Sequence, residues 1–453
     1  MTPRHFPAPS AWRRIQTAWG LPDLAGKGRF VTANVIDSLG NGLVMAFTVV
    51  FFVKTTSLSL VAVGAALTVG QLLALPVPPV IGLLMDRYGP RIVVAAGNWI
   101  SVAGFIGFLF SHAAWHIVLW QFVVQLGSNA FWMGNSPLIV LVARGVERAR
   151  WFGFVRALRN VGVGFGGAAS AAALSIGTVT GLRAVMAVNV VSFAVAGWLV
   201  ITFRGADPSE AAGAGPAEPK PAEPEQASET TGRRAGGYRT VLKDTRYLRL
   251  VGASISFVFA STVVSVLLAV YVADNLAVGA WIVGVLVVLN TVMVALFQTL
   301  ASRWIEARGP ATVLVLALLL NAAAFAVFGA LLALPGWAVI AGLLVAMVLY
   351  TVAEILSSPP TSELSVVMAP EHLRGRYLGV YQMSWSVGGA LAPALLTALL
   401  EGGAALPWVF LTAISVLAVP LVLGLDRRPA ATSEATPAGD TASVEQLDGG
   451  PVG

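Results

Sequence analysis

Of 453 residues, 57% are hydrophobic and only 11% charged, and the mean hydropathy is +0.80. A soluble domain carries about 25% charged residues, so a water-soluble globular fold is excluded. The net charge of +6 and pI of 9.9 raise nucleic acid as a partner, but the placement of the basic residues accounts for them without it. Cysteine is absent, which removes disulfides and thiol chemistry.

Residues 1–29 are polar, hold Pro3, Pro7 and Pro9, and lack the apolar core and cleavage site of a signal peptide; they read as a cytoplasmic tail. Twelve apolar runs follow, at 30–53, 58–84, 91–111, 114–142, 151–178, 182–203, 248–273, 278–301, 311–333, 337–358, 377–400 and 406–425. Nearly all reach the roughly 20 residues that cross a hydrocarbon core about 30 Å thick. Runs of this length suit helices; barrel strands need about 10 residues of alternating polarity. The Pro-, Ala-, Glu- and Gly-rich stretch 204–247 separates six runs from six and reads as a disordered cytoplasmic linker. The expected units are therefore bundles at 30–203 and 248–425, with 426–453 a disordered cytoplasmic tail. If the N-terminus and alternate loops are cytoplasmic, 24 of the 28 Lys and Arg lie on that side, as the positive-inside rule requires. The expected fold is an all-α polytopic membrane protein: twelve transmembrane helices in two pseudo-symmetric six-helix bundles, both termini cytoplasmic.

The halves repeat each other weakly. At a shift of 226, Arg148, Arg150, Gly153, Val161 and Gly162 fall on Arg374, Arg376, Gly379, Val387 and Gly388; at 220, Asp86, Gly89 and Pro90 fall on Glu306, Gly309 and Pro310. Parallel repeats with a site at their interface near the midplane are a transporter plan.

Between the second and third runs stands GLLMDRYGPR, residues 82–91. Gly82 allows close helix approach, Gly89 makes the turn, and Pro90 suits a first helical turn. Arg87 and Arg91 hold the loop inside, and Asp86 can face a helix N-terminus or pair with an arginine. The pattern G-x-x-x-D-R-x-G-x-R at Gly82, Asp86, Arg87, Gly89 and Arg91 resembles the signature of the major facilitator superfamily. The resemblance implies a bistable bundle in which this loop latches the two halves when the cytoplasmic side is closed, with Asp86 a gating residue. It extends to the drug:proton antiporters through Gly153, Gly162 and Gly166 in the fifth run, where Gly167 replaces the motif proline and Ser170 and Ala171 its last glycines. Gly379, Gly388 and Pro393 stand in the eleventh run, and Glu354 precedes a proline-containing helix end. The fourth run has Trp120, Gln121 and Phe122 where that group carries a basic residue.

An ionisable group within a span costs about 2.5–3.5 kcal/mol on insertion scales. Asp37, Arg156, Arg159 and Glu354 therefore ask for a reason. At about 1.5 Å per residue, Asp37, Arg159 and Glu354 share one level, roughly 12 Å from the cytoplasmic ends of their spans. Asp37 and Glu354 are candidates for proton coupling; alternatively Asp37 is a static partner of Arg159, and Arg156 snorkels to the surface. Asn34, Asp37 and Asn41 share one helix face, and Gln121, Gln125, Asn129 and Trp132 fall within about 80° of one another. These residues and Arg159 are candidates for lining a substrate cavity, joined in the second half by Asn290, Gln298, Tyr381, Gln382 and Trp385. Trp115, Trp281, Trp337 and Trp408 read as interface anchors. His112 and His116 read as surface residues.

The expected function is secondary active transport: proton-coupled efflux of small amphipathic organic compounds, drugs or secondary metabolites, by alternating access across a bacterial inner membrane. The partners are then a small-molecule substrate and the lipid bilayer, with no nucleic acid; one chain suffices, no cofactor or metal is called for, and the proton is the coupling ion. An importer or uniporter of a metabolite is the alternative, and a membrane sensor or enzyme a more distant one. An enzyme would need a nucleophile–base or metal cluster, which is not evident, and no phosphate-binding loop for ATP-driven transport is present.

Overall fold

In a computed structural model, the described residues are 21–45, 47–143, 147–176, 178–203, 237–276, 278–279, 281–423 and 425. Most of the three segments expected to be disordered or tail-like, 1–20, 204–236 and 426–453, lies outside them. The described residues form helices and no strands. In chain order these are α1 Gly28–Met45, α2 Thr48–Thr55, α3 Leu60–Leu73, α4 Val77–Leu109, α5 Ala114–Val142, α6 Glu147–Ile176 and α7 Val179–Thr202. The second set comprises α8 Tyr238–Lys243, α9 Thr245–Thr262, which runs through a π-helical turn at Val263–Leu267 into α10 Leu268–Asn275, and α11 Trp281–Glu306. Then come α12 Pro310–Ala330, α13 Gly336–Val367, α14 Arg374–Gly402 and α15 Leu406–Val422.

Every apolar run is helical, yet among the described residues six helices are individually long and apolar enough to cross a membrane, seven if the pair α1–α2, bent by 50°, counts as one. The difference from twelve has physical causes. Two runs share α4, whose backbone breaks at Gly89: its φ of 78° lies in the left-handed region that glycine enters without a Cβ penalty. The π turn divides the seventh run. Polar side chains on α5 and arginines on α6 lower the hydropathy of helices that line the interior. The linker expectation also needs correction, because 204–247 is helical from Tyr238 onward. Asp244 caps α9 by accepting from the Tyr247 N–H at 3.0 Å, and the buried Tyr247 phenol donates to the Tyr377 carbonyl at 3.0 Å. An aspartate cap and one buried tyrosine side chain thus outweigh the polar composition around them.

Helices α1, α4, α5, α6 and α7 pack mainly among themselves, as do α9 and α11–α15; between the two groups α6 meets α11 and α13, and α4 meets α14. Phe51, Phe52, Phe105 and Phe108 anchor the first group. Tyr271, Phe325, Phe328 and Trp408 anchor the second. Trp408 is therefore no interface anchor: it is 1% exposed and stacks on Phe328 at 4.7 Å, whereas Trp115, Trp281 and Trp337 are exposed. The glycine row of α6 forms a seam with α1. A Cβ at Gly162 would strike Ser38, and one at Gly166 the Leu39 carbonyl, while one at Gly164 would meet nothing. Small residues permit this approach. Gly166→Val is accordingly expected to cost about 1–3 kcal/mol by overpacking, read as a lower thermal midpoint in nanodiscs, with Gly164→Val unchanged.

Candidate functional site

One end of the bundle, where Arg29 and Arg91 donate to the Thr202 and Phe203 carbonyls at 2.9 and 3.0 Å, is held shut by two related contacts. Asp86 accepts from the Gly375 N–H in the first turn of α14 and lies 3.5 Å from Arg376 Nε. A carboxylate there meets both the positive end of the helix and a guanidinium. Gly82 and Gly375 abut backbone to backbone, so a Cβ on either would collide with the other's carbonyl. The counterpart pairs Arg150 with Glu306 at 2.8 Å, with Gly153 pressed against Ser302. Arg376 and Glu306 are the residues that the repeat aligned with Arg150 and Asp86. Of the other signature residues, Arg87 lies over the Tyr88 ring at 5.2 Å and Gly89 makes the turn.

Sequence reasoning missed Tyr238. Its phenol donates to the Pro79 carbonyl beside Gly82 and Gly379, placing α8 across this junction. Burial, then the charge of Asp86, pushes the phenol up to about 12, so it remains a donor at any physiological pH. Tyr238→Phe is expected to raise the rate of opening at this end, seen as faster modification of a cysteine introduced at Ser362, with no change in thermal midpoint.

Deeper in the bundle lie two ion pairs. Arg159 Nη1 donates to Asp37 Oδ2 at 2.8 Å, and the same oxygen accepts from Asn41 Nδ2 at 3.1 Å. The guanidinium sits 4.7 and 4.5 Å from the Phe131 and Trp132 rings. The Arg159 and Asp37 side chains are only 7% and 1% exposed, and all these partners belong to α1, α5 and α6. Arg156, one turn earlier, points the other way and meets Glu354 of α13 at 2.7 Å. It spans the two groups and does not snorkel. The second Glu354 oxygen accepts from Asn290 at 2.9 Å.

These pairs flank two cavities of about 500 and 680 Å³ that share Gln125, Ser128, Trp132, Arg156 and Arg159. The smaller is lined also by Asp37, Asn41 and Gln121. The larger takes in Asn129, Glu354, Tyr381, Gln382 and Trp385. Three expected lining residues do not reach either wall. Asn34 is buried and donates back to the Phe30 carbonyl; it shares the face of Asn41 but lies two turns nearer the closed end. Gln298 is buried and ties α11 to the Ile355 carbonyl at 3.0 Å. Asn290 stands behind Glu354 and orients it. Periodicity finds a face but not a depth. The lining residues that went unread, such as Asn135, Asn321, Ser357, Ser358 and Thr361, are short polar groups that in sequence look like ordinary helix-packing residues. Among the described residues, no group of three potential metal ligands converges. His116, in the first turn of α5, accepts from the N–H of the exposed His112 at 3.3 Å.

The family profile described as Major Facilitator Superfamily matches residues 30–274 and 250–447. The chain is similar to Multidrug resistance protein MdtH of Cronobacter sakazakii, 26% identical over 403 residues that cover 86% of this chain and 92% of the relative. MdtH of Klebsiella pneumoniae is 23% identical over 403 residues with the same coverage. Among solved structures, a bacterial homologue of the iron transporter ferroportin in the outward-facing state superposes with a TM-score of 0.70 at 15% identity, covering 89% of this chain and 100% of that one. The transporter FucP in the outward conformation gives 0.66 at 13% identity, covering 88% and 97%. With a latch, a central cavity and these similarities in place, the chain belongs to the major facilitator superfamily and is a membrane transporter, not an enzyme.

Proposed function

We propose that this transporter is a proton-coupled exporter of small amphipathic organic compounds, working by alternating access as a single chain of twelve spans in a bacterial inner membrane. Its termini and the latched end face the cytoplasm, so the closed latch corresponds to an outward-facing state. The observation that carries this reading is the Arg156–Glu354 pair, which joins the two helix groups at the cavity wall. A proton reaching Glu354 from outside removes the charge that holds Arg156, and the groups can then part at the latch and close at the far end. Release of that proton to the cytoplasm restores the pair and resets the cycle. Asp37 and Arg159 move together within one group, which makes them a brace and Glu354 the proton carrier. One observation favours uniport or import as a second reading: both acids are engaged by arginines.

The test is loss of accumulated fluorescent dyes, one cationic and one uncharged, from energised cells, with and without an uncoupler. Uncoupler-sensitive efflux that disappears in Glu354→Gln is expected. Efflux unaffected by the uncoupler sinks the proton-coupled reading in favour of uniport, and no efflux of either dye sinks the export reading.

A further inference from the structure

The chemistry of the larger cavity says more than its size. Of its twenty-five lining residues, thirteen are uncharged hydrogen-bonding side chains and six are aromatic. Its three charged groups are already matched, Arg156 with Glu354 and Arg159 with Asp37. A cation competing for Glu354 would leave Arg156 facing it unpaired, and an anion competing for Arg156 would do the same to Glu354. An uncompensated charge in such a site is costly. Charge therefore disfavours both classes.

The uncharged wall offers acceptors as well as donors: its five amide side chains, Gln125, Asn129, Asn135, Asn321 and Gln382, carry both. A hydroxyl carries one proton: Ser386 gives its own to Asn129 Oδ1 at 3.4 Å, whereas Ser357 gives its own to the Glu354 carbonyl at 3.1 Å and Thr361 to the Ser357 carbonyl. The oxygens of Ser357 and Thr361 keep lone pairs that can accept. Asn321 is 2% exposed, and its carbonyl oxygen, buried at this wall, has no hydrogen-bond partner. A buried acceptor left alone is costly, so it asks for a donor. Beside these acceptors stand the rings of Trp132, Tyr381 and Trp385, the last two with centroids 6.5 Å apart. Rings of this kind pack against flat apolar faces.

We propose that the ligand of this cavity is an uncharged, polyhydroxylated compound bearing an apolar ring, the chemical class of an aryl or terpenoid glycoside. Its hydroxyls donate to Asn321 and the serine and threonine oxygens, and its ring lies on Trp132 and Trp385. The inference rests on the reading of this cavity as the transport site, and narrows the amphipathic cargo to a hydroxyl-rich one.

The experiment is equilibrium dialysis on the full chain in lipid nanodiscs, prepared without sugar detergents. The probes are 4-nitrophenyl β-maltoside, its sugar-free analogue 4-nitroanisole, and tetraphenylphosphonium. The maltoside is expected to bind at least about tenfold more tightly than either comparison compound. Asn321→Leu and, separately, Ser358→Ala are expected to weaken it about 3- to 10-fold each, as the loss of one hydrogen bond does; the serine variant leaves the helix backbone intact should the first fail to fold. Tighter binding of tetraphenylphosphonium or 4-nitroanisole, or unchanged maltoside affinity in both variants, overturns the proposal while leaving the cavity as a site for other cargo. Failure of all three probes to bind overturns it as well. Dye efflux in Trp385→Ala then separates the two readings: if intact, the cavity is not the transport site; if lost, it is.

Discussion

Asp37→Asn is expected to destabilise the protein more than any other change considered, by about 3–5 kcal/mol, the usual cost of removing one partner from a buried ion pair. Arg159 cannot escape to water: its side chain is 7% exposed and its guanidinium is held between Phe131 and Trp132. The amide leaves a full positive charge among aromatic rings and helix backbone. Removing both charges has a different outcome, because a neutral pair has no charge to desolvate. Asp37→Asn with Arg159→Gln should regain most of the loss. Equilibrium unfolding in mixed micelles compares the three proteins. Native-like stability in the single variant would show that the pair is not a brace, and Asp37 would return as a candidate for the proton site.

Gly375→Val is expected to reduce transport more than tenfold while leaving the thermal midpoint within a few degrees. The new side chain collides with the Gly82 carbonyl and crowds Asp86, so the latch cannot form, but the cores around Phe108 and Trp408 are untouched. The variant stalls with this end open. Asp86→Asn should do less, because the Gly375 N–H can still donate to an amide oxygen and only the charge facing Arg376 is lost. Transport per folded molecule in proteoliposomes measures both. Equal effects would mean that charge, and not close backbone approach, governs closure.

Much of this was legible in the sequence because membranes impose simple rules. Apolar runs of about 20 residues became helices, and the Gly89–Pro90 turn stands where its residue types demanded. Both options read for Asp86, a helix N-terminus or an arginine, are realised together at Gly375 and Arg376. The weak repeat proved informative for a physical reason: residues aligned across it make equivalent contacts, Asp86 with Arg376 and Glu306 with Arg150. Pairings across the helix groups were not legible. Nothing local distinguishes Arg156, which crosses to Glu354, from Arg159, which stays with Asp37; both lie on one helix a turn apart, and only the packing of α6 between α1 and α13 separates them. Gln298 and Asn34 failed as cavity residues because a helical period gives direction without depth. Trp408 failed as an anchor because position near a span end does not fix which way a ring turns.

Alternating access is tested most directly by the distance across the latch. The chain has no cysteine, so spin labels can be placed without first removing native thiols. Tyr88→Cys and His372→Cys are exposed positions flanking the Asp86–Arg376 contact. Double electron–electron resonance in nanodiscs should give one short distance for the latched state and a second, longer one when Glu354→Gln mimics the protonated acid. A single unchanged distance in both proteins, from preparations in which the doubly labelled chain with native Glu354 still transports, would contradict a latch that opens and a Glu354 that controls it.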